Sequence, residues 1–367
     1  MKIRISFLFI ALLFAQAAIS QQLENLNIIE VKNLRKVRAR HEIKIPDISG
    51  YNTLKCDFHI HTLFSDGTVW PTTRVDEAWQ EGLDAIAITD HIENQPKNKS
   101  LVGDNNTSFD LAVDIAKERG IILIRGGEIS RHMPPGHLNA IFLKDVNAVD
   151  VPDFNDAINE AVKQGAFVFW NHPGWKRHQP DTCKMFPIHQ ELIKSGKIKG
   201  IEVFNAKDWY PVALGWCLEY GLTMMGNSDI HGIVSHTYDL ENGHRPITLV
   251  FSAGKDEDSI KEALFAGRTA IYFGDNLIGK EEFLDAIFKA SVNIEKMGLA
   301  DSKGRMLYKV RNSSCIPFYM EDSKGEKMTI PADGSFIFYF NENGKYDVRV
   351  TNLITGVEKD LEVRLDL

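Results

Sequence analysis

Apolar residues along the chain gather in short runs, and between the runs they recur at helical spacing. The runs are Leu54–Ile60, Ala85–Thr89, Ile121–Arg125, Leu138–Leu143, Ala166–Trp170, Gly200–Phe204 and Thr223–Gly226. Each has strand length and predicts a strand buried on both faces. The stretches Thr72–Gln80, Ser108–Arg119, Asp153–Gln164 and Val212–Tyr220 between them predict helices. Ser108 and Asp153 stand where an N-cap belongs, and Gly120, Gly165 and Gly221 stand where the helices stop. Strands alternating with helices predict an α/β fold with a mostly parallel sheet covered on both sides. Seven such strands make a closed barrel the economical architecture, and a doubly wound open sheet satisfies the same spacing.

The pattern changes at both ends. Thr248–Phe251 and Thr269–Phe273 flank a helix pattern at Glu257–Ala266, and Glu281–Ala290 predicts one more helix. From about Ser291 the period drops to two. Leu307–Val310, Phe318–Glu321, Ser335–Phe340 and Lys345–Thr351 alternate, with Asp333-Gly334 and Asn343-Gly344 as turns. This predicts a small antiparallel β-sandwich domain over 291–367. At the other end Lys2 and Arg4 precede the apolar run Ile5–Ala15 and the small residues of Ala18-Ile19-Ser20. That is the pattern of a signal peptide over 1–20, so the mature chain is expected in the periplasm or outside the cell, without a membrane span. An uncleaved anchor is the alternative reading. Residues 21–50, with the basic patch Arg35, Lys36, Arg38 and Arg40, read as a leader segment, and 51–290 as the main domain.

Composition adds two constraints. The formal net charge is −8, and loss of Lys2 and Arg4 takes it to −10. An acidic chain with no basic stripe argues against a long nucleic acid or an anionic membrane as partner. The four cysteines, Cys56, Cys183, Cys217 and Cys315, have no metal-type spacing, and the sequence fixes no pairing.

Candidate chemistry sits at the strand ends. His59 and His61 are two apart on one strand, so their imidazoles project together. Ser65-Asp66-Gly67 follows as a turn. Asp90-His91 follows the second strand, Gly126-Gly127-Glu128 the third, Asn171-His172-Pro173-Gly174 the fifth and Asn227-Ser228-Asp229-Ile230-His231 the seventh. His137 precedes its strand, and a hairpin through Pro134-Pro135-Gly136 would return it to the same end beside Glu128. Six of the twelve histidines, with Asp66, Glu128 and Asp229, make nine ligand candidates. In a barrel the carboxyl ends of the strands share one mouth. Imidazoles and carboxylates without thiolates suit Zn²⁺, Mn²⁺ or Fe²⁺, and nine groups call for two or three ions. Taken one at a time, each of these short motifs also reads as an ordinary cap, turn or core histidine.

The order His-x-His, Ser-Asp-Gly, Thr-Asp-His, Gly-x-Glu, His, His-Pro, Ser-Asp-x-His resembles the PHP (polymerase and histidinol phosphatase) superfamily over about residues 53–275. With its signal peptide and C-terminal β region the chain is similar to secreted PHP phosphoesterases of the Sb-PDE type. The resemblance implies a distorted seven-stranded (β/α) barrel. It also implies that His59, His61, Glu128 and Asp229 hold one ion, that Glu128 bridges to a second held by His137 and His172, and that Asp66, His91 and His231 hold a third. Some members carry histidine at the position of Asp66.

The chemistry then expected is hydrolysis of a small phosphoester by a metal-activated water. Asp90 is expected to orient His91 or another ligand, and Asn205 is a weaker candidate for the same task. Arg131, Lys176, Arg177 and Arg245, with His132 and His178, are candidates for binding phosphate oxygens, against a solvated surface as the plain alternative. Trp175 and Trp209 are candidates for an apolar wall around the leaving group, or for core packing. A nuclease acting on short oligonucleotides and a non-enzymatic metal-binding or adhesive protein are the competing readings.

Overall fold

The computed structural model describes residues 39–97, 99–340 and 345–366; the expected signal peptide and most of the leader lie outside them. The elements begin with β1 (Asn52–Ile60), α1 (Pro71–Gln80), β2 (Ala85–Ile88), α2 (Thr107–Arg119), β3 (Ile122–Ser130), β4 (His137–Ile141), α3 (Phe154–Lys163) and β5 (Phe167–Trp170). Next come α4 (Pro187–Lys194), β6 (Gly200–Asn205), β7 (Asp208–Trp209), α5 (Pro211–Tyr220), β8 (Thr223–Asn227) and α6 (Val234–Thr237). They are followed by β9 (Ile247–Ser252), α7 (Glu257–Phe265), β10 (Thr269–Phe273), β11 (Asn276–Gly279) and α8 (Glu281–Ser291). Seven strands complete the chain: β12 (Val292–Ala300), β13 (Met306–Asn312), β14 (Phe318–Asp322), β15 (Lys327–Ile330), β16 (Gly334–Phe340), β17 (Lys345–Gly356) and β18 (Lys359–Asp366). Among the described residues no helix is long and apolar enough to cross a membrane.

The fold is mixed α/β around one large sheet. Its path runs β9, β1, β2, β3, β4, β5, β6, with β8 on β6 and β10 on β9. The pairs β1–β2, β2–β3, β5–β6 and β6–β8 are parallel. Strand β4 runs antiparallel to both β3 and β5, and β9 antiparallel to β1. The sheet curls. Beyond β8, Ile230 bridges to Ile60 at the end of β1, and the His61 amide donates to the Ile230 carbonyl at 3.1 Å. Gly226 of β8 lies so close to β10 that an added Cβ would stand 2.2 Å from the Ile271 side chain. Leu54, Cys56 and Phe58 of β1 meet Ala85, Ala87, Ile124, Phe167, Phe169, Met225 and Val250 in one apolar cluster, which also takes Ile260, Ala263 and Leu264 of α7.

Local signals explain most boundaries. Asp153 caps α3 by accepting from the amides of Asn155 and Asp156, and Gly120 and Gly221 end α2 and α5 in the left-handed conformation. The expected cap at Ser108 is corrected: the N-cap is Asn106, two residues earlier, with α2 starting at Thr107 and no capping bond from the Asn106 side chain. The Asn106 amide is engaged elsewhere, accepting from Arg125 and the Val146 amide and donating to Asp145. Near the N-terminal limit of the described chain, Ile43, Ile45 and Ile48 are buried in the same cluster as Ile86, Phe318 and Val350. After α8, strands β12, β13 and β16 form a separate three-stranded sheet, while β14, β15, β17 and β18 extend the large sheet through a short parallel pairing of β17 with β11.

Candidate metal centre

Six imidazoles and three carboxylates meet at the mouth of the curled sheet. His59 and His61 leave the end of β1 with ring centroids 5.1 Å apart, and both are fully buried. The hairpin β3–β4 pairs Ser130 with His137, which brings His137 back beside Glu128. His172 and Asp229 sit in the left-handed region at φ 27° and 51°, a conformation that turns each side chain sharply off the end of its strand.

Glu128 is the hub. One carboxylate oxygen lies 3.4 Å from His59 Nε2, 3.3 Å from His61 Nε2 and 2.9 Å from His91 Nδ1. The other lies 2.8 Å from His137 Nδ1 and 3.7 Å from His172 Nε2. Asp229 stands opposite, 3.2 Å from His59 Nε2 and 3.0 Å from His61 Nε2. Asp66 is 3.0 Å from His231 Nε2 and 3.6 Å from His91 Nε2. Three groups of donor atoms are each mutually within 4.8 Å: His61, Asp66, His91 and His231; His59, His61 and Glu128; His91, Glu128 and His137. All nine expected ligands are therefore brought together. His172 and Asp229 fall outside these tight groups; Asp229 still lies 3.2 and 3.0 Å from His59 and His61, and the place of His172 beside Glu128 and His137 is taken by His91.

The donor set fits divalent ions. His61 Nε2, Asp66 Oδ1, His137 Nδ1 and His172 Nδ1 are buried yet make no hydrogen bond, although carboxylate oxygens stand close to the first and third. Unmade bonds at such atoms are costly unless something else occupies the lone pairs. Electrostatics point the same way. Burial would raise Glu128, but His91, His59 and His137 hold its carboxyl well below the usual range. Burial would likewise raise Asp229, and His59 and His61 drive it far down. Burial works against protonated His59, yet Asp229, Glu202 and Glu128 together lift it well above its ordinary value; His91 is lifted to about 9 against burial, chiefly by Glu128. His61 goes the other way, to about 4, because burial and the neighbouring His231 and His91 outweigh Asp229. The carboxylates and most of the imidazoles around them thus favour their charged forms against burial.

A ring of supporting residues holds the ligands. Glu202, fully buried, accepts from His59 Nδ1 at 2.8 Å and also from the His172 amide, Asn205 and Asn227. That contact leaves His59 Nε2 facing Glu128 and Asp229. Asn171 donates to Glu128 at 3.0 Å, and the Ser130 hydroxyl meets His91 Nδ1 at 2.6 Å. Asn205 donates to Asp229 as well as to Glu202. Asp90 does not touch His91; it accepts from Thr62 N, Thr62 Oγ1 and Ser65 Oγ, each at 2.6 Å, and Ser65 Oγ lies 3.4 Å from His61 Nδ1. Its task is to shape the Thr62–Asp66 turn. Arg74, fully buried, donates to the carbonyls of His61, Ile230, His231 and Gly232, stapling the two ligand loops together. His189 stacks on Trp170 at 3.8 Å, takes the Phe186 amide at Nδ1 and meets the Pro135 carbonyl at Nε2, bracing the turn before His137; burial lowers it to about 4. Sequence reasoning missed Glu202, Asn171, Ser130, Arg74 and His189. Glu202 alone left a signal, as one acid within an otherwise apolar strand.

A cleft of about 440 Å³ opens beside the cluster, lined by Asp66, His91, Glu93, Asn94, Ser130, Arg131, His132, His137, Trp175, Arg177 and His178. Arg131 lines it but is tied to Glu93 and to the carbonyls of Ser130 and Val151. Arg177 is exposed with its guanidinium 5.7 Å from the Trp175 ring centre, and Lys176 is exposed outside the lining. One expectation is corrected, and one open alternative is decided. Arg245 is fully buried and pairs with Glu81 at 2.5 and 2.9 Å and with Asp57 at 3.1 Å. Its guanidinium is satisfied by these carboxylates and does not reach the mouth. Trp209 packs against the apolar cluster of Trp170 and Phe204, away from the cleft.

Comparison with known proteins agrees with this geometry. No protein-family model matches the chain. The crystal structure of a two-domain protein from Bacteroides vulgatus ATCC 8482, containing a predicted PHP-like metal-dependent phosphoesterase, is 42% identical. It aligns over 90% of this chain and 100% of that one, with a TM-score of 0.87. A metal-dependent phosphoesterase structure from Bifidobacterium adolescentis ATCC 15703, itself described as putative, matches at 18% identity over 58% of this chain and 96% of its own, with a TM-score of 0.40. A 5'-3' exoribonuclease of Haemophilus influenzae is 38% identical over 78 residues, which span 21% of this chain and 24% of that protein. On the first of these likenesses, over nearly the whole chain, the protein belongs to the PHP-like metal-dependent phosphoesterases.

Proposed function

We propose that this protein is an exported hydrolase of small phosphoesters, mono- or diesters, working through two or three divalent ions of zinc, manganese or iron. The observation that carries the reading is Glu128, one buried carboxylate shared by five imidazoles, with unbonded donor atoms around it. The basic–apolar–small pattern of residues 1–20 supports export. The apolar cluster shared by seven strands and the Ile60–Ile230 bridge support a distorted seven-stranded barrel. The two groups of strands after Ser291 support a C-terminal sandwich.

The ligands would be His59, His61, Asp66, His91, Glu128, His137, His172, Asp229 and His231. Bound ions would polarise a phosphoryl oxygen, acidify a water and neutralise charge in the transition state. The chain does the positioning. Glu202 fixes the tautomer of His59, Ser65 and Asp90 fix the turn under His61, and Arg177 and His178 flank the cleft where phosphate oxygens would lie. The exoribonuclease likeness supports a second reading, action on short oligonucleotides, over a quarter of that protein only. Metal content per chain, with turnover on phosphomonoesters, phosphodiesters, a nucleotide and an oligonucleotide, tests both. A chain that binds metal and hydrolyses none of them would instead be a binding protein.

A further inference from the structure

Trp175 is the one aromatic residue in the cleft wall other than histidines, and its surroundings are unlike those of a core tryptophan. Trp170 and Trp216 stack on each other within an apolar cluster that Trp209 also joins, whereas Trp175 belongs to none of the three apolar clusters. Its neighbours are polar rings. The indole lies 5.2 Å from His172, 5.8 Å from His137 and 4.7 Å from His178, centre to centre. Its backbone is rigidly placed. The Trp175 amide donates to the His172 carbonyl at 2.9 Å, and its own carbonyl accepts from the amides of His178 and Gln179 at 2.8 Å. An indole fixed to the turn that carries His172 lines a polar cleft with no ring stacked parallel on it, and the group over its face is the exposed, displaceable Arg177. A phosphoryl group seated on the cluster would place its ester substituent within reach of that ring.

We propose that Trp175 is a stacking platform for a planar aromatic group on the substrate, so that the site selects aryl or nucleoside phosphoesters over alkyl ones. This deepens the phosphoesterase reading and rests on it for the place of the phosphoryl group. Arg177, exposed above the indole, is free to close over the second face of an inserted ring.

The test uses non-hydrolysable phosphonates on the metal-loaded full chain, so binding is read apart from turnover. Methylphosphonate, phenylphosphonate and a nucleoside phosphonate are titrated by calorimetry into wild type, Trp175→Ala and Trp175→Phe. Stacking on an aromatic side chain gives an expected advantage of about tenfold for the aromatic probes in wild type. Trp175→Ala should erase that advantage while leaving methylphosphonate affinity within about twofold, and Trp175→Phe should keep most of it. A stronger gain with phenylphosphonate marks aryl esters as the source, and one with the nucleoside probe marks nucleotides. Equal binding of all three probes, no binding of any, or an advantage that survives in Trp175→Ala overturns the proposal. Absence of turnover on every phosphoester, with the aromatic advantage intact, overturns the hydrolase reading instead.

Discussion

Strand β1 passes through two buried charged assemblies within five residues, and they differ in kind. Asp57 belongs to the lower one, where it accepts from Arg245, from the Ser228 amide and from the Ser228 hydroxyl, while Glu81 takes the other edge of the guanidinium. His59 and His61 belong to the upper one, where Glu128 and Asp229 crowd imidazole nitrogens that have no hydrogen-bond partner. Both are buried, and both mix acids with bases. The lower assembly is complete as it stands: each charge faces an opposite charge in good geometry. The upper one has orphaned donor atoms. Burial of charge does not mark a candidate site; buried donor atoms left without a partner do.

Four experiments break or sharpen this contrast. The largest effect is expected from Glu128→Ala. Removing the shared carboxylate from between cations should cost about two metal equivalents per chain and several orders of magnitude in turnover. Circular dichroism should stay native, whereas Asp66→Ala at the half-exposed edge should lose mainly one equivalent. Wild-type metal content in Glu128→Ala would end the cluster assignment. Arg245→Ala should do the reverse. It takes the guanidinium away from buried Asp57 and Glu81, so stability should fall by about 3–5 kcal/mol in denaturant titration. Metal per folded chain should hold, and loss of metal without loss of stability would place Arg245 in the site after all.

Glu202→Gln comes next. The amide cannot anchor His59 as the carboxylate does, and metal affinity should weaken about 10- to 100-fold by competition with a chromophoric chelator, with the fold unchanged. An unchanged affinity would make Glu202 a purely structural acid. The smallest effect belongs to His189, which is buried without any charge to meet it. Its folded value of about 4 lies below the unfolded value of about 6.5, so the folded state disfavours the proton. Its contribution is present above pH ~6.5 and is lost as pH falls toward 4. Thermal melts of metal-free protein should show this slope, and His189→Gln should flatten it; an identical slope in both proteins would assign the acid loss elsewhere.

The nine candidate positions could be picked out because they lie at, near or just beyond strand ends, and strand ends can be read from local apolar runs. The hairpin at Pro134–Gly136 was legible for the same reason. Arg245 was not. Its partners Glu81 and Asp57 lie 164 and 188 residues away, and a buried arginine and a solvated one share the same letter. Trp175 and Trp209 were equally open from sequence, and only the course of the chain after His172 and β6 separates them. Glu202, Asn171 and Arg74 act through contacts across the mouth, which no local pattern encodes. The cap of α2 was missed by two residues because the Asn106 side chain bonds to distant groups, not to its own helix.

The Arg74 staple bears on when the site comes into being. One guanidinium in α1 gathers carbonyls from residue 61 and from residues 230–232, so the first and last ligand loops are held by a contact that spans most of the domain. No fragment ending before residue 232 can make it. A nascent or truncated chain therefore keeps these histidines scattered, and they are gathered only once the sheet has curled round. If the cluster holds metal as proposed, metal uptake would double as a readout of completed folding, and ions scavenged early by the unfolded chain would have to be given up or repositioned before the mouth can close.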